Sequence, residues 1–253
     1  MSAIAILPAR YASTRFPAKP LARQTGKYLI QHVYEQVRRA RELSRTIVAT
    51  DDERIADAVR SFGGEVAMTR ADHPSGTDRI AEVVRGLPAG AAEFVLNVQG
   101  DEPEIEPEYL DRLVRRIRAT PGCQAATLAC PFPADADPSD PNCVKVVISR
   151  QNIALYFSRA RVPYPRADVE AADRIGWHLH LGVYAYRRNF LLEYAGWELS
   201  PLEKMERLEQ LRILDRGAAI AVEVVPRATP GIDTPEDYAA FVKRIGQGTE
   251  GGK

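Results

Sequence analysis

A mixed, mainly parallel sheet with helices on both faces and a smaller lobe attached is the fold class this chain predicts. Three features predict it. Short apolar runs alternate with amphipathic stretches through the first half. The alternation stops after Cys130, where Pro131, Pro133, Pro138 and Pro141 mark an irregular crossing. A final apolar run and a final amphipathic stretch then return before Gly246. Buried strands separated by helices need crossover connections, and those cover both faces of a parallel sheet.

In chain order, Ala3–Leu7 reads as a buried strand, and Leu29 to Arg41 as a helix with Ile30, Val33 and Val37 on one face. Thr46–Thr50 is the next strand, and Asp51-Asp52 opens a helix with the stripe Ile55, Ala56, Val59. Glu65–Met68 is a strand, Thr77 to Arg85 a helix, Phe94–Val98 a strand, Pro107 to Ile117 a helix, and Ala125–Cys130 a strand. Val144–Ser149 and Ala154–Ser158 read as an antiparallel pair. Leu179–Tyr186 is a further strand, after a loop from Pro163 to Gly176 that is expected to move. Helices follow at Asn189–Ala195 and Pro201–Asp215, the second burying Leu202, Met205, Leu208 and Leu211. Ala219–Val225 is the last strand and Pro235–Ile245 the last helix. The expected organisation is a nucleotide-binding domain from residues 1–130 and 217–246, a substrate lobe at 131–216, and a frayed, disordered tail at 247–253.

With 253 residues, 45% of them hydrophobic and 27% charged, the chain has the make-up of an ordinary soluble globular protein. Formal net charge is zero, so no global field draws nucleic acid or an acidic membrane. Cys123, Cys130 and Cys143 form no CxxC pair, which argues against a disulfide frame or a zinc site. No apolar run approaches the roughly 20 residues of a membrane helix, and nothing at the N-terminus reads as a signal peptide. A cytoplasmic protein is expected.

Local charge is more informative. Between Met1 and Tyr34 lie Arg10, Arg15, Lys19, Arg23 and Lys27, and no acidic residue. Cations on a loop after a buried strand call for an anionic guest. Several separated cations suit a triphosphate, each meeting different phosphoryl oxygens. Pro8 and Ala9, at the end of that strand, fall beside the same guest. Asp101 follows the buried run Phe94–Val98, at the end of a strand where ligands of open α/β sheets bind. A carboxylate there, opposite a phosphate loop, suits Mg²⁺; the structural alternative is that it caps the turn before Pro103. Thr234, Pro235 and Asp237 complete a helix start without Asp233, leaving Asp233 available as a second metal ligand, with Gly231 letting the turn bend close to the site. Ser75-Gly76-Thr77-Asp78-Arg79 opens a helix that could hold a base or phosphate, or Ser75 could be a plain cap.

In the second half, Leu179 to Arg187 alternates. His180, Gly182, Tyr184 and Tyr186 share a face suited to a polyhydroxylated ligand or to a subunit interface. Arg159, at a strand end, could grip a substrate carboxylate in a bidentate pair. Glu206, Glu209 and Gln210 share a helix face whose default reading is solvent.

Together the segments PARYASTRFPAKP, IVATDD, TRADHPSGTDRIAEV, NVQGDEP, NCVKVV, ALYFSRA, HLGVYAYR, LEQLR and PGIDTPED resemble the 3-deoxy-manno-octulosonate (Kdo) cytidylyltransferases, in family order from Ile4 to about Ile245. That resemblance implies the nucleotide-diphospho-sugar transferase type of fold and a homodimer built partly through the smaller lobe. It also implies activation of Kdo with CTP for lipopolysaccharide biosynthesis, with Mg²⁺ as cofactor. It places Arg10, Arg15 and Lys19 on the triphosphate, Ser75 near the cytosine and Gln99 near the reacting groups, with Arg79 among the nucleotide contacts. Asp101 and Asp233 become the metal ligands, while Arg159, His180, Tyr184, Glu209 and Gln210, together with Gln99, line the sugar-acid pocket. Phe16 and Ala18 stand where the family often has Leu and Gly, and Ala18 is compatible with φ below zero, which leaves close phosphate approach open. Val162-Pro163-Tyr164 replaces the common IPW. A relative acting on another sugar acid, such as 8-amino-Kdo or a nonulosonate, or a nucleotide sensor without catalysis, are the rival readings.

Overall fold

The computed structural model describes residues 2–12, 15–166 and 176–250. Ser13 and Thr14 of the basic segment, most of the loop expected to move (167–175), and the end of the tail (251–253) lie outside the described residues. The chain forms two compact units, residues 1–111 with 229–253, and residues 112–228.

The first unit contains β1 (Ala3–Ala9), α1 (Leu29–Val37), β2 (Leu43–Thr50), α2 (Glu53–Ser61), β3 (Val66–Met68), α3 (Gly76–Gly86) and β4 (Phe94–Asn97). Its strands lie in the order β3-β2-β1-β4, and every pairing is parallel. Ala3 to Leu7 and Phe94 to Leu96 are at most 1% exposed, the burial on two faces that an uninterrupted apolar strand requires. α2 is capped by Asp52, whose carboxylate accepts from the Arg54 N–H at 3.0 Å. α1 stops at Val37, short of the expected Arg41, because Arg39 and Ala40 turn back onto the carbonyls of Gln36 and Val37.

α4 (Pro107–Ala119) leads into the second unit, which holds β5 (Ala125–Pro131), β6 (Lys145–Ile148), β7 (Ala154–Ser158), β8 (His178–Arg187), α5 (Arg188–Tyr194), α6 (Pro201–Glu206), α7 (Leu211–Asp215) and β9 (Ile220–Val224). β5 lies between an antiparallel β8 and a parallel β9. β6 and β7 form the expected antiparallel pair, and β6 also pairs with β8. α8 (Pro235–Glu250) returns to the first unit.

Three expectations change. β5 and β9, assigned to the nucleotide-binding part, belong to the second unit, because their ladders join them to each other and to β8. The single helix expected over Pro201–Asp215 is two, broken where Arg207 adopts the left-handed conformation (φ 52°) and gives its N–H to the Glu203 carbonyl. The buried stripe therefore fails at Met205, which is 83% exposed, while Leu208 and Leu211 stay buried. α8 also continues through Gly246 to Glu250 where a disordered tail was expected. A helix with a capped start propagates at little cost per added residue. Among the described residues, no helix is long and apolar enough to cross a membrane.

Candidate active site

In the first unit, backbone contacts bring three distant segments to one place. Gly100 lies so close to β1 that a Cβ there would stand 3.0 Å from the Pro8 carbonyl, a distance only glycine accepts comfortably. The Ile232 N–H donates to the Asp101 carbonyl at 2.9 Å, tying the turn before α8 to the end of β4. Phe16 packs on Tyr238, with ring centroids 5.7 Å apart, against the buried cluster of Leu29, Ile232, Tyr238 and Phe241. The basic loop is thereby anchored on the start of α8. Gly231 has neither a positive φ nor a close neighbour, so the turn does not depend on it as expected.

Lys19 lies at the centre of this arrangement. Its ammonium donates to Asp101 Oδ2 at 2.6 Å and to the Ile232 carbonyl at 2.7 Å, and lies 3.9 Å from Asp233 Oδ1. Arg15 Nη2 meets the same Asp233 oxygen at 2.9 Å. The two acids expected to share a metal thus already share a cation. Lys19 opens a short 3-10 turn (Lys19–Leu21) in which Pro20 is buried and Ala18 precedes it with φ 56° and ψ 22°. Ala18 does not take the negative φ that is open to it: it lies in the left-handed region that favours glycine. The cap of α8 forms as anticipated. Asp237 accepts from the N–H groups of Asp233 and Thr234, and Thr234 Oγ1 accepts from the Asp237 N–H at 3.2 Å. Burial acts to raise the Asp237 carboxyl, and those N–H donors outweigh it, so it titrates below the usual range. Asp233 itself has no part as an acceptor in the cap.

Ser75 caps α3: its hydroxyl accepts from the Asp78 N–H and donates to the Asp78 carboxylate at 2.7 Å. Arg10 Nη2 donates to the His73 carbonyl at 2.5 Å, and the His73 ring is paired with Glu82, which also accepts from the Arg70 N–H. Arg79 departs most from expectation. It is 0% exposed, with Nη1 2.5 Å from Thr69 Oγ1 and 2.9 Å from Asp51 Oδ1, so in this conformation it braces the site and cannot touch a ligand. Burial lowers its pKa against the pull of Asp51. Gln99 is part-buried, its Nε2 3.4 Å from Asn97 Oδ1. No group of three or more His, Cys, Asp or Glu residues poised for a metal occurs among the described residues.

The second unit gathers the other set. A bulge between Thr127 and Leu128 lets Gly182 and Val183 loop out of the β5–β8 ladder without changing which side chains share a face. His180, Tyr184 and Tyr186 accordingly form a row, with centroids 5.4 and 5.6 Å apart. Burial drives the His180 imidazole down to about 3, so it is neutral at pH 7, and pushes the Tyr184 phenol well above its usual range. The Tyr184 hydroxyl and Gln210 Nε2 are buried without a well-formed hydrogen bond among the described residues. Such groups are rare unless a ligand or water supplies partners. The left-handed turn at Arg207 takes Gln210 off the solvent face. Glu209 lies beside it, its carbonyl accepting from Tyr194 Oη at 2.8 Å.

Arg159 is gripped by carbonyls. Nε donates to Glu206 O at 2.7 Å and Nη1 to Pro141 O at 2.8 Å. Its backbone is pinned at both ends, the N–H by Glu206 Oε2 at 2.9 Å and the carbonyl by the wholly buried Lys145 ammonium at 2.6 Å. Glu206, first read as solvent-facing, is therefore a support. Lys145 and Thr127 escaped the sequence reading as well. The available signal was a lone polar residue inside an apolar strand, in Ala125-Ala126-Thr127-Leu128 and Lys145-Val146-Val147.

The cytidylyltransferase family profile matches residues 4–220. A 3-deoxy-manno-octulosonate cytidylyltransferase of Syntrophotalea carbinolica is 50% identical over 242 residues, 94% of this chain and 96% of the relative. The chain belongs to this family. The Vibrio cholerae enzyme of the same name is 48% identical across 97% of the chain and 98% of its own length. A solved CMP:2-keto-3-deoxy-manno-octonic acid synthetase complexed with CTP superposes with a TM-score of 0.91 at 41% identity, covering 98% of this chain and 99% of that one. A 4-diphosphocytidyl-2C-methyl-D-erythritol synthase from Anaerococcus prevotii, at 15% identity and a TM-score of 0.63, shares the fold alone. Membership in the Kdo cytidylyltransferase family gives the mixed α/β fold and the expected enzyme class their footing.

Proposed function

We propose that the protein transfers the cytidylyl group of CTP to Kdo, giving CMP-Kdo and pyrophosphate for lipopolysaccharide biosynthesis. The carrying observation is the Lys19 ammonium held between Asp101, Asp233 and the Ile232 carbonyl in the first unit. Arg10, Arg15 and Lys19 would stabilise the triphosphate, and the backbone at Pro8 and Ala9, together with Ser75 and Gln99, would line the nucleotide. Arg79 supports this set from within. Arg159, pinned at both backbone ends, would pair with the carboxylate of the sugar acid. His180, Tyr184, Glu209 and Gln210 would meet its hydroxyls.

The C2 hydroxyl oxygen of Kdo would form a bond to the α-phosphorus in line as the bond to the pyrophosphate oxygen breaks, and the hydroxyl proton leaves to solvent. Lys19 and the two arginines would offset negative charge growing on the leaving pyrophosphate. Asp101 and Asp233 fit a divalent ion such as Mg²⁺: both are hard oxygen donors, and one cation already lies between them. Bound there, the ion would supply Lewis-acid polarisation of a phosphoryl oxygen. A cytoplasmic homodimer is part of the reading; the edge strand β7, with Leu155 60% exposed, favours a partner surface on the second unit.

Pyrophosphate release from CTP, measured with Mg²⁺ and a panel of sugar acids, tests the proposal. Release should depend on Kdo and exceed that with 8-amino-Kdo or nonulosonates. Equal release without any sugar acid would overturn it.

A further inference from the structure

Thr127 faces the bulge in β8, where its single hydroxyl meets two carbonyls and an imidazole and also interacts with the Tyr184 hydroxyl. Oγ1 lies 2.8 Å from the Val183 carbonyl, 3.2 Å from the Leu181 carbonyl and 3.0 Å from His180 Nε2. Carbonyl oxygens only accept, whereas the Tyr184 hydroxyl and an imidazole N–H can each donate to Oγ1, so the Thr127 proton is best used on a carbonyl, and Val183 is nearest. Were the proton given to His180 instead, the short O···O contact to Val183 would set two lone-pair regions against each other. The contact to Nε2 is then a hydrogen bond only if Nε2 carries the ring proton. We infer that Thr127 is a positioning residue that holds His180 in its Nε2–H tautomer and leaves Nδ1 as an acceptor for a hydroxyl of the sugar acid. Phe157 and Tyr184 fix the ring on its other sides, with centroids 5.0 and 5.4 Å away. A residue that merely stabilised the bulge would have no reason to set the tautomer.

This rests on the reading that His180 contacts the sugar acid, and the experiment separates the two. In uniformly ¹⁵N-labelled wild type at pH 7, long-range ¹H–¹⁵N correlation should show His180 protonated on Nε2, its signals assigned by their loss in His180→Gln. Thr127→Val, close to isosteric, should weaken that preference and raise the KM for Kdo about tenfold, with kcat and the KM for CTP within about twofold. Thr127→Ser should restore both. A proton on Nδ1 in the wild type overturns the inference whether or not the variants fold. Unchanged tautomer and KM in a folded Thr127→Val also overturn it. Wild type that does not use Kdo, with the Nε2–H tautomer intact, sinks the functional reading and leaves the positioning role of Thr127 standing.

Discussion

The two units prepare for ligands in opposite ways. In the first, the charged groups around Lys19 satisfy one another, Lys19 with Asp101 and Arg15 with Asp233, both pairs at 2.9 Å or less, while Arg79 behind them keeps buried Nε and Nη2 without a hydrogen bond among the described residues. In the second, the groups are neutral or lack charged partners. His180 is neutral, Tyr184 and Gln210 keep buried polar atoms without a well-formed hydrogen bond among the described residues, and Arg159 is held by carbonyls. The difference follows from the expected guests. A triphosphate and a divalent ion bring large charges, and a cluster of both signs can rearrange around them while staying compensated when empty. A sugar acid brings one carboxylate and several hydroxyls, which are best read by fixed, pre-aimed partners.

The comparison breaks most sharply at Asp101. Asp101→Asn keeps the shape but removes a charge that no neighbour replaces. It should lower kcat by about 10²–10³-fold, roughly 3–4 kcal/mol, with CTP affinity changed far less. Steady-state pyrophosphate release checks this, and a turnover close to wild type would remove Asp101 from the chemistry. Arg159→Gln should act on the other region only. Losing a charge-assisted contact is worth roughly 1.5–3 kcal/mol, so the KM for Kdo should rise about 10- to 100-fold while the KM for CTP holds. An equal rise for both substrates would mean that the two regions are not specialised as described.

What was legible in the sequence follows the same divide. The acids of the first region stand in short local signals. Asp101 ends an apolar run, and Asp233 precedes a helix start complete without it, so each could be found by asking which carboxylate lacks a local duty. In the second region the decisive facts are non-local. Arg207 breaks a helix whose periodicity runs on through Asp215, and only that left-handed residue takes Gln210 inward and leaves Met205 outside. Arg79 was legible as a cation near a helix start, but its burial depends on Asp51 and Thr69 from other elements. Resemblance named His180, whereas the hydroxyl that orients it lies on a neighbouring strand.

A pH experiment sharpens the neutral side. The His180 pKa of about 3 in the folded chain lies below the unfolded value of about 6.5. Above pH 6.5 both states leave the ring neutral and it contributes nothing. Below that, the unfolded chain gains a proton that the folded chain refuses, so stability falls as pH drops from 6.5 towards 3. At pH 5 this loss is about 2 kcal/mol. Urea midpoints at pH 7 and pH 5 should show a smaller drop for His180→Gln than for wild type. Equal drops would place the acid sensitivity elsewhere, for instance at His178, whose pKa burial also lowers.

The smallest effect tests the charged side through its backbone. Ala18 holds φ 56°, a conformation costing a non-glycine residue roughly 1–2 kcal/mol, directly before the turn that carries Lys19. Ala18→Gly relieves that cost but frees the unfolded chain by about 0.4–1 kcal/mol, so the net gain should be at most about 1.6 kcal/mol. Ala22, at the other end of the same turn, has φ −58° and packs against the cluster that anchors the loop, so Ala22→Gly should only destabilise. Thermal melting of the two variants should therefore move in opposite directions. If both fall, the loop draws more from the alanine methyl groups than it loses to strain, and the left-handed residue before Lys19 is held by packing that glycine cannot supply.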